Sequence, residues 1–211
     1  CYNTLITKEW GKNMYIFWDN SNIHYAGLDH VFPIKEPGEK KELYRTHFSN
    51  LLDLVADGRN IDDIFFAGSV PPKGDSLWKH IQSIGITPSL LPRSLTEGEA
   101  DTTDHVLQLA LLRLVWDNPE PNTIALLTGD GAGINNGQGF LADAKRIAEK
   151  GWNFEVYSWE SACHGLLKDF AKENGKYVKH YIGKDDIKLA REVANKSYYM
   201  KVKPLLEKEL K

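Results

Sequence analysis

Five carboxylates stand where they could act together: Asp19, Glu99, Asp101, Asp104 and Asp130. Asp101 and Asp104 share one face of a helical turn, and Glu99 lies just ahead of it. Asp19 and Asp130 each follow a short apolar run, so each sits just past the end of a strand. Hard cations such as Mg2+ take oxygen ligands, usually one or two carboxylates with water and substrate phosphate. So many carboxylates in one crevice would repel one another unless a cation joined them. The pattern therefore points to a bound divalent metal.

The elements that position these groups can be read from the apolar runs. Thr123-Ile124-Ala125-Leu126-Leu127, entered through Pro119 and Pro121, reads as a fully buried strand of a parallel sheet. It breaks at Thr128-Gly129-Asp130-Gly131. Met14-Tyr15-Ile16-Phe17-Trp18 repeats the arrangement ahead of Asp19-Asn20-Ser21-Asn22. In open α/β sheets ligands bind outside the carboxyl ends of the strands, where both carboxylates would then lie.

Residues 20–37 read as a long polar connection containing His24, and a helix is predicted over 40–56. A strand over 61–70, a short helix over 75–84 and a strand over 86–91 follow. The helix over 101–116 is the most apolar and must lie against the sheet. Beyond the central strand the spacing predicts a helix over 140–150, a strand over 153–158 and a helix over 160–172. Tyr177 to Ile182 reads as an edge strand. Strand alternating with helix predicts a doubly wound α/β fold, a mainly parallel sheet of about five strands flanked by helices. The expected boundaries are a lead over 1–13, one domain over 14–175 and a basic, mainly helical extension over 176–211.

Composition narrows the classes. The chain is 42% hydrophobic and 26% charged, ordinary for a globular protein, and holds no apolar run of membrane-spanning length. Cys1 and Cys163 suggest neither a disulfide framework nor a zinc ribbon, so a reduced, cytoplasmic protein is expected. A net charge of −3 argues against a generic nucleic-acid binder. From Lys168 onward, however, 12 Lys/Arg face 7 Asp/Glu, a net +5, against −8 in the residues before it. An acidic body with a basic tail suits a metal site near a phosphate-bearing partner, and a solvated basic helix explains the tail equally well.

Plainer readings of the same residues stay open. Asp101 and Asp104 could form a capping box, and Asp130-Gly131 could be a tight turn. Gly131-Ala132-Gly133 approaches a dinucleotide-binding loop, but it lacks the third glycine and follows a late strand.

Three motifs in order resemble the NYN domain family, a branch of the PIN-like nucleases. Asp19-Asn20-Ser21-Asn22 is similar to the family's Asp-x-x-Asn opening, and Gly98-Glu99-Ala100-Asp101 with Asp104 to its Gly-x-x-Asp helix start. Leu127-Thr128-Gly129-Asp130 matches its Ser/Thr-Gly-Asp strand end. Phe140, Gly151 and the strand Phe154-Glu155-Val156-Tyr157 continue the likeness, which covers about residues 14–171. The resemblance implies a metal-dependent endoribonuclease using Mg2+ or Mn2+ on RNA and leaving 5′-phosphate and 3′-hydroxyl ends.

On that reading Asp19, Asp101 and Asp130 hold the metal, with Glu99 or Asp104 as a further ligand or water-orienting base. Asn22 would hydrogen-bond Asp19 or a metal-bound water, alongside Asn20, Ser21 and Thr128. His24, Arg93 and Lys73 are the candidates for gripping single-stranded RNA. Ala132 and Gly139 stand where the family usually carries a second Asp, and Glu97 where it tends to be basic. A non-catalytic RNA- or protein-binding module is the alternative, and a homodimer is left open.

Overall fold

The computed structural model describes residues 13–44, 46–69, 76–91, 99–129, 139–159, 161–173 and 181–182. They include β1 (Asn13–Asp19), α1 (Asn20–Ala26), a π-helical turn (Gly27–Val31), α2 (Phe32–Lys35), α3 (Phe48–Ala56) and β2 (Asn60–Ser69). Then come α4 (Ser76–Ser83), β3 (Pro88–Leu91), α5 (Glu99–Asp117), β4 (Thr123–Leu127) and α6 (Phe140–Glu149). The last are β5 (Asn153–Trp159), α7 (Gly165–Glu173) and β6 (Tyr181–Ile182). All strands pair in parallel, in the order β3-β2-β1-β4-β5-β6. The order grows outward in both directions from the β1/β4 pair, which is the topological switch of a doubly wound sheet.

Alternation along the strands explains why their sequences are apolar without a period of two. Phe17, Ile124, Leu126, Phe154 and Val156 face one side of the sheet, packed with Leu107, Leu111 and Leu114 of α5 and with residues of α6 and α7. Met14, Ile16, Trp18, Ala125, Leu127 and Tyr157 face the other, against Ile23 of α1, Phe48, Leu52 and Val55 of α3, and Trp78 and Ile81 of α4. With both faces covered, every position of β4 is buried. Helix α5 meets the sheet through one stripe only: Leu109, Leu112 and Trp116 face outward, Trp116 being 88% exposed.

A part-buried ion pair joins the two halves of the sheet. Arg59, just before β2, makes a two-pronged contact with Glu155 of β5 at 2.6 and 2.7 Å. Tyr157 Oη donates to the same carboxylate at 2.9 Å, so the charge is paired and hydrogen-bonded, as burial requires.

Three expectations need correction. Residues 20–37 are largely helical, not a polar connection: α1, the π turn and α2 follow one another, held by the burial of Ile23, Ala26 and Phe32. Helix α3 starts at Phe48 rather than at residue 40, because the His47 side chain caps it by accepting from Asn50 N–H at 3.2 Å. Helix α7 starts at Gly165 rather than at 160. Among the described residues no helix is long and apolar enough to cross a membrane. Of the expected lead and C-terminal extension, all but Asn13 and β6 lie outside the described residues.

Candidate active site

Asp19 ends β1 on the Phe17 face, the face that α5 covers, and is only 6% exposed. Its backbone is extended, and its carboxylate caps α1 by accepting from Asn22 N–H at 3.0 Å. A carboxylate this buried needs such partners, because an unpaired buried charge is costly. The N-terminus of α1 adds partial positive charge. The cap is visible in hindsight: Asp19 precedes Ile23 and Ala26 at helical spacing, a start signal masked by the turn-forming Asn-Ser-Asn.

Asn22 carries the connection to β4. Its side-chain oxygen accepts from Gly129 N–H at 2.6 Å. Gly129 in turn accepts at its carbonyl from His164 N–H at 2.8 Å. Both polar groups of the Gly129 peptide unit positions are thus held, one from α1 and one from the start of α7. The glycine answers to space rather than to backbone conformation. A Cβ there would lie 2.8 Å from both the Ala162 carbonyl oxygen and Ser158 Oγ, and 3.0 Å from Asn22 Oδ1.

The other predicted residues fall as follows. Asn20 is buried with its side chain over Gly68 of β2, near the Trp78 ring, not over β4. Among the described residues its Oδ1 has no hydrogen-bond partner. Ser21 is half-buried in the first turn of α1, and Thr128 is buried just past β4. His24 lies on α1 rather than in a loop. Its Nδ1 meets Thr46 Oγ1 at 3.1 Å, and its ring packs against Tyr25 and Tyr44.

Glu99, Asp101 and Asp104 lie in the first turns of α5. That helix follows β3 and returns to β4, so a parallel crossover starts it at the same carboxyl edge as Asp19 and Gly129. The side chains of these three acids are not among those described. Asp130, Lys73 and Arg93 lie outside the described residues altogether. Among the described residues no group of three His, Cys, Asp or Glu side chains is placed to hold a metal. Of the expected ligands, only Asp19 has a described side chain.

One further residue was not singled out by sequence reasoning, and one that was finds its reason in the backbone. His164 caps α7, its Nδ1 accepting from Leu166 N–H at 3.3 Å. Its place beside Gly129 comes from a contact between distant segments, which no local pattern announces. Gly139, just before α6, has φ +96°, a conformation that side chains rarely adopt. That is a physical reason for glycine rather than aspartate at this position.

The strand order also bears on the dinucleotide reading. In sheets of this order the phosphate-binding glycines occupy the turn after β1. Here that turn is Asp19-Asn20-Ser21-Asn22, with no glycine.

Comparison with known proteins agrees with this architecture. The family model described as NYN domain matches residues 13–174. A search of curated proteins finds no match. Among solved structures, a protein of unknown function from Vibrio parahaemolyticus superposes with a TM-score of 0.58 at 14% identity, covering 78% of this chain and 92% of that one. At that identity the likeness speaks for the fold alone.

Proposed function

The chain belongs to the NYN domain family, a branch of the PIN-like nucleases, and from that premise we propose that it is a metal-dependent endoribonuclease acting on single-stranded RNA. The observation that supports the reading is that the Asp19 carboxylate, the clamped Thr128-Gly129 exit and the start of α5 all lie at the carboxyl edge of the sheet.

Asp19, Asp101 and Asp130 would hold Mg2+ or Mn2+, a fit supported by Asp19 being a buried carboxylate with oxygen chemistry suited to a hard cation. When bound, the ion supplies positive charge against the charge that develops on the phosphate in the transition state. Glu99 or Asp104 orients the attacking water and receives its proton. The water oxygen bonds to phosphorus, the bond from phosphorus to O3′ breaks, and O3′ leaves, taking a proton from solvent. The products carry 5′-phosphate and 3′-hydroxyl ends. Asn22 holds Asp19 and the β4 exit in register, an orienting role that ligand-supporting groups commonly take. A reducing, cytoplasmic setting suits a chain whose two cysteines, Cys1 and Cys163, share no close spacing.

The test is incubation of the full chain with end-labelled single-stranded RNA and Mn2+ or Mg2+, with and without EDTA. Cleavage that EDTA abolishes is expected, and no cleavage at any metal concentration would sink the nuclease reading. Glycine at 139 and Ala132, where a second Asp is usual, favour one other reading: a module that retains RNA without cutting it. RNA binding without cleavage would decide for that reading.

A further inference from the structure

We propose that His164 grips the RNA backbone, its Nε2–H donating a hydrogen bond to a phosphate oxygen next to the one that reacts. The inference rests on the ribonuclease reading and adds to it a substrate contact on a strand-to-helix junction far in sequence from the acidic motifs.

Three observations converge on this residue. Its main-chain N–H is bonded to the Gly129 carbonyl at 2.8 Å, so His164 is anchored at the end of β4, one residue from Asp130. Its Nδ1 accepts the Leu166 amide proton at 3.3 Å, which uses that nitrogen's lone pair. In the neutral ring the proton is then on Nε2, leaving a donor on the far side of the imidazole. The residue as a whole is also exposed.

Of the other described histidines, His30 in the π-helical turn and His105 on α5 are exposed, and three have partners elsewhere. His24 meets Thr46 and packs against Tyr25 and Tyr44, His47 caps α3, and His80 lies against Phe48. Among the described histidines, His164 is the one whose main chain is bonded to the end of β4. The start of α7 contributes partial positive charge at the same place, which adds to the attraction of an anion.

The capping role and the proposed role can be separated by substitution. His164→Asn keeps a strong N-cap for α7 but cannot supply the imidazole Nε2 donor. His164→Ala removes both. The probe is a short fluorescein-labelled oligouridylate. Affinity is read by anisotropy in EDTA, KM and kcat with Mn2+, and stability by melting of the full chain.

Both variants should bind about tenfold more weakly, the scale of one hydrogen bond to a charged group. KM should rise in proportion while kcat stays within about twofold, because the contact is made equally in the ground and transition states. The Asn variant should melt with the wild type, and the Ala variant should melt lower.

Wild-type affinity and KM in His164→Asn would overturn the proposal. A fall in kcat with KM unchanged would also overturn it, because His164 would then act only by holding the strand end. If the wild-type chain binds no oligouridylate, the ribonuclease reading fails and takes this inference with it. If the wild type binds and the Asn variant binds equally well, only this inference fails.

Discussion

The side-chain oxygen of Asn22 accepts the N–H of Gly129 at 2.6 Å and so ties the first turn of α1 to the end of β4 across 107 positions of sequence. The same residue's own N–H donates to the Asp19 carboxylate at 3.0 Å. One short polar side chain therefore sets the spacing between the two strand exits at the switch point. A carboxylate placed by a cap can still rotate, whereas one whose cap is itself bonded to the neighbouring strand is held in register.

Replacing Asn22 tests that linkage. Asn22→Ala leaves the part-buried Gly129 N–H without its acceptor and should cost about 1–3 kcal/mol in urea unfolding. Asn22→Asp keeps the acceptor but sets a second charge beside Asp19. It should be less stable than wild type in EDTA, and Mn2+ should narrow the gap. Unfolding curves that overlay the wild type for both variants would mean the bond contributes nothing.

At Gly129 the constraint is steric. Gly129→Ala would press a methyl group onto the Ala162 carbonyl oxygen, Ser158 Oγ and Asn22 Oδ1. The Ala162 oxygen belongs to the main chain and cannot swing aside. Overpacking of this kind costs about 1–3 kcal/mol, and here it would also push apart the segments that flank the site. Thermal melting should show the loss, and RNA cleavage should fall by more than stability alone explains. A Gly129→Ala protein with wild-type melting and activity would show that these oxygens move freely.

The strands were legible because residues 14–18 and 123–127 are buried on both faces, and a doubly covered strand leaves an unbroken apolar run. The edge at which Asp19 lies followed from the alternation of strand and helix. The helical run from α1 to α2 was not legible, because Asn20, Ser21, Asn22 and Pro33 are turn formers whose preference is overridden by tertiary contacts. Ile23 is buried, and its carbonyl accepts from the Trp159 indole N–H at 2.8 Å, a bond between residues 136 apart. The Arg59–Glu155 pair and the His164–Gly129 bond were hidden for the same reason. Each joins distant segments through groups that are unremarkable locally.

Tyr157 gives the fold a sensitivity to alkali. Burial pushes its phenol far above the usual range, and the adjacent Glu155 carboxylate pushes it the same way. The unfolded chain releases that proton near pH 10, while the folded chain keeps it. The native state then binds more protons, so stability is unaffected below about pH 9 and falls above about pH 10 by about 1.4 kcal/mol per pH unit. Burial likewise raises Tyr44. Tyr157→Phe loses the bond to Glu155 and should cost about 1 kcal/mol at pH 7. Its deficit should shrink as the pH approaches 11. Denaturant titrations of both proteins across this range would show it, and parallel profiles would mean the phenol titrates normally.

Asp19→Asn separates a metal ligand from a helix cap. Asparagine caps helices as well as aspartate does, so α1 should keep its start and the metal-free protein its stability. Removing one charge from an acidic cluster could even raise stability slightly. With metal the comparison should invert. A ligand that binds only the native state stabilises it by about 2.7 kcal/mol at a hundred times its dissociation constant. Wild type should gain such an increment on addition of Mn2+, and Asp19→Asn should lose most of it. Cleavage of single-stranded RNA should fall by at least about a hundredfold, as when a group acting on transition-state charge is removed. Asp117→Asn, an exposed change at the opposite end of α5, is the control and should respond to Mn2+ as wild type does. The measurement is a set of melting curves for the three proteins in EDTA and across a Mn2+ titration, beside the cleavage assay. An Asp19→Asn protein with the full wild-type metal response would reduce Asp19 to a helix cap and move any metal site away from the β1/β4 edge.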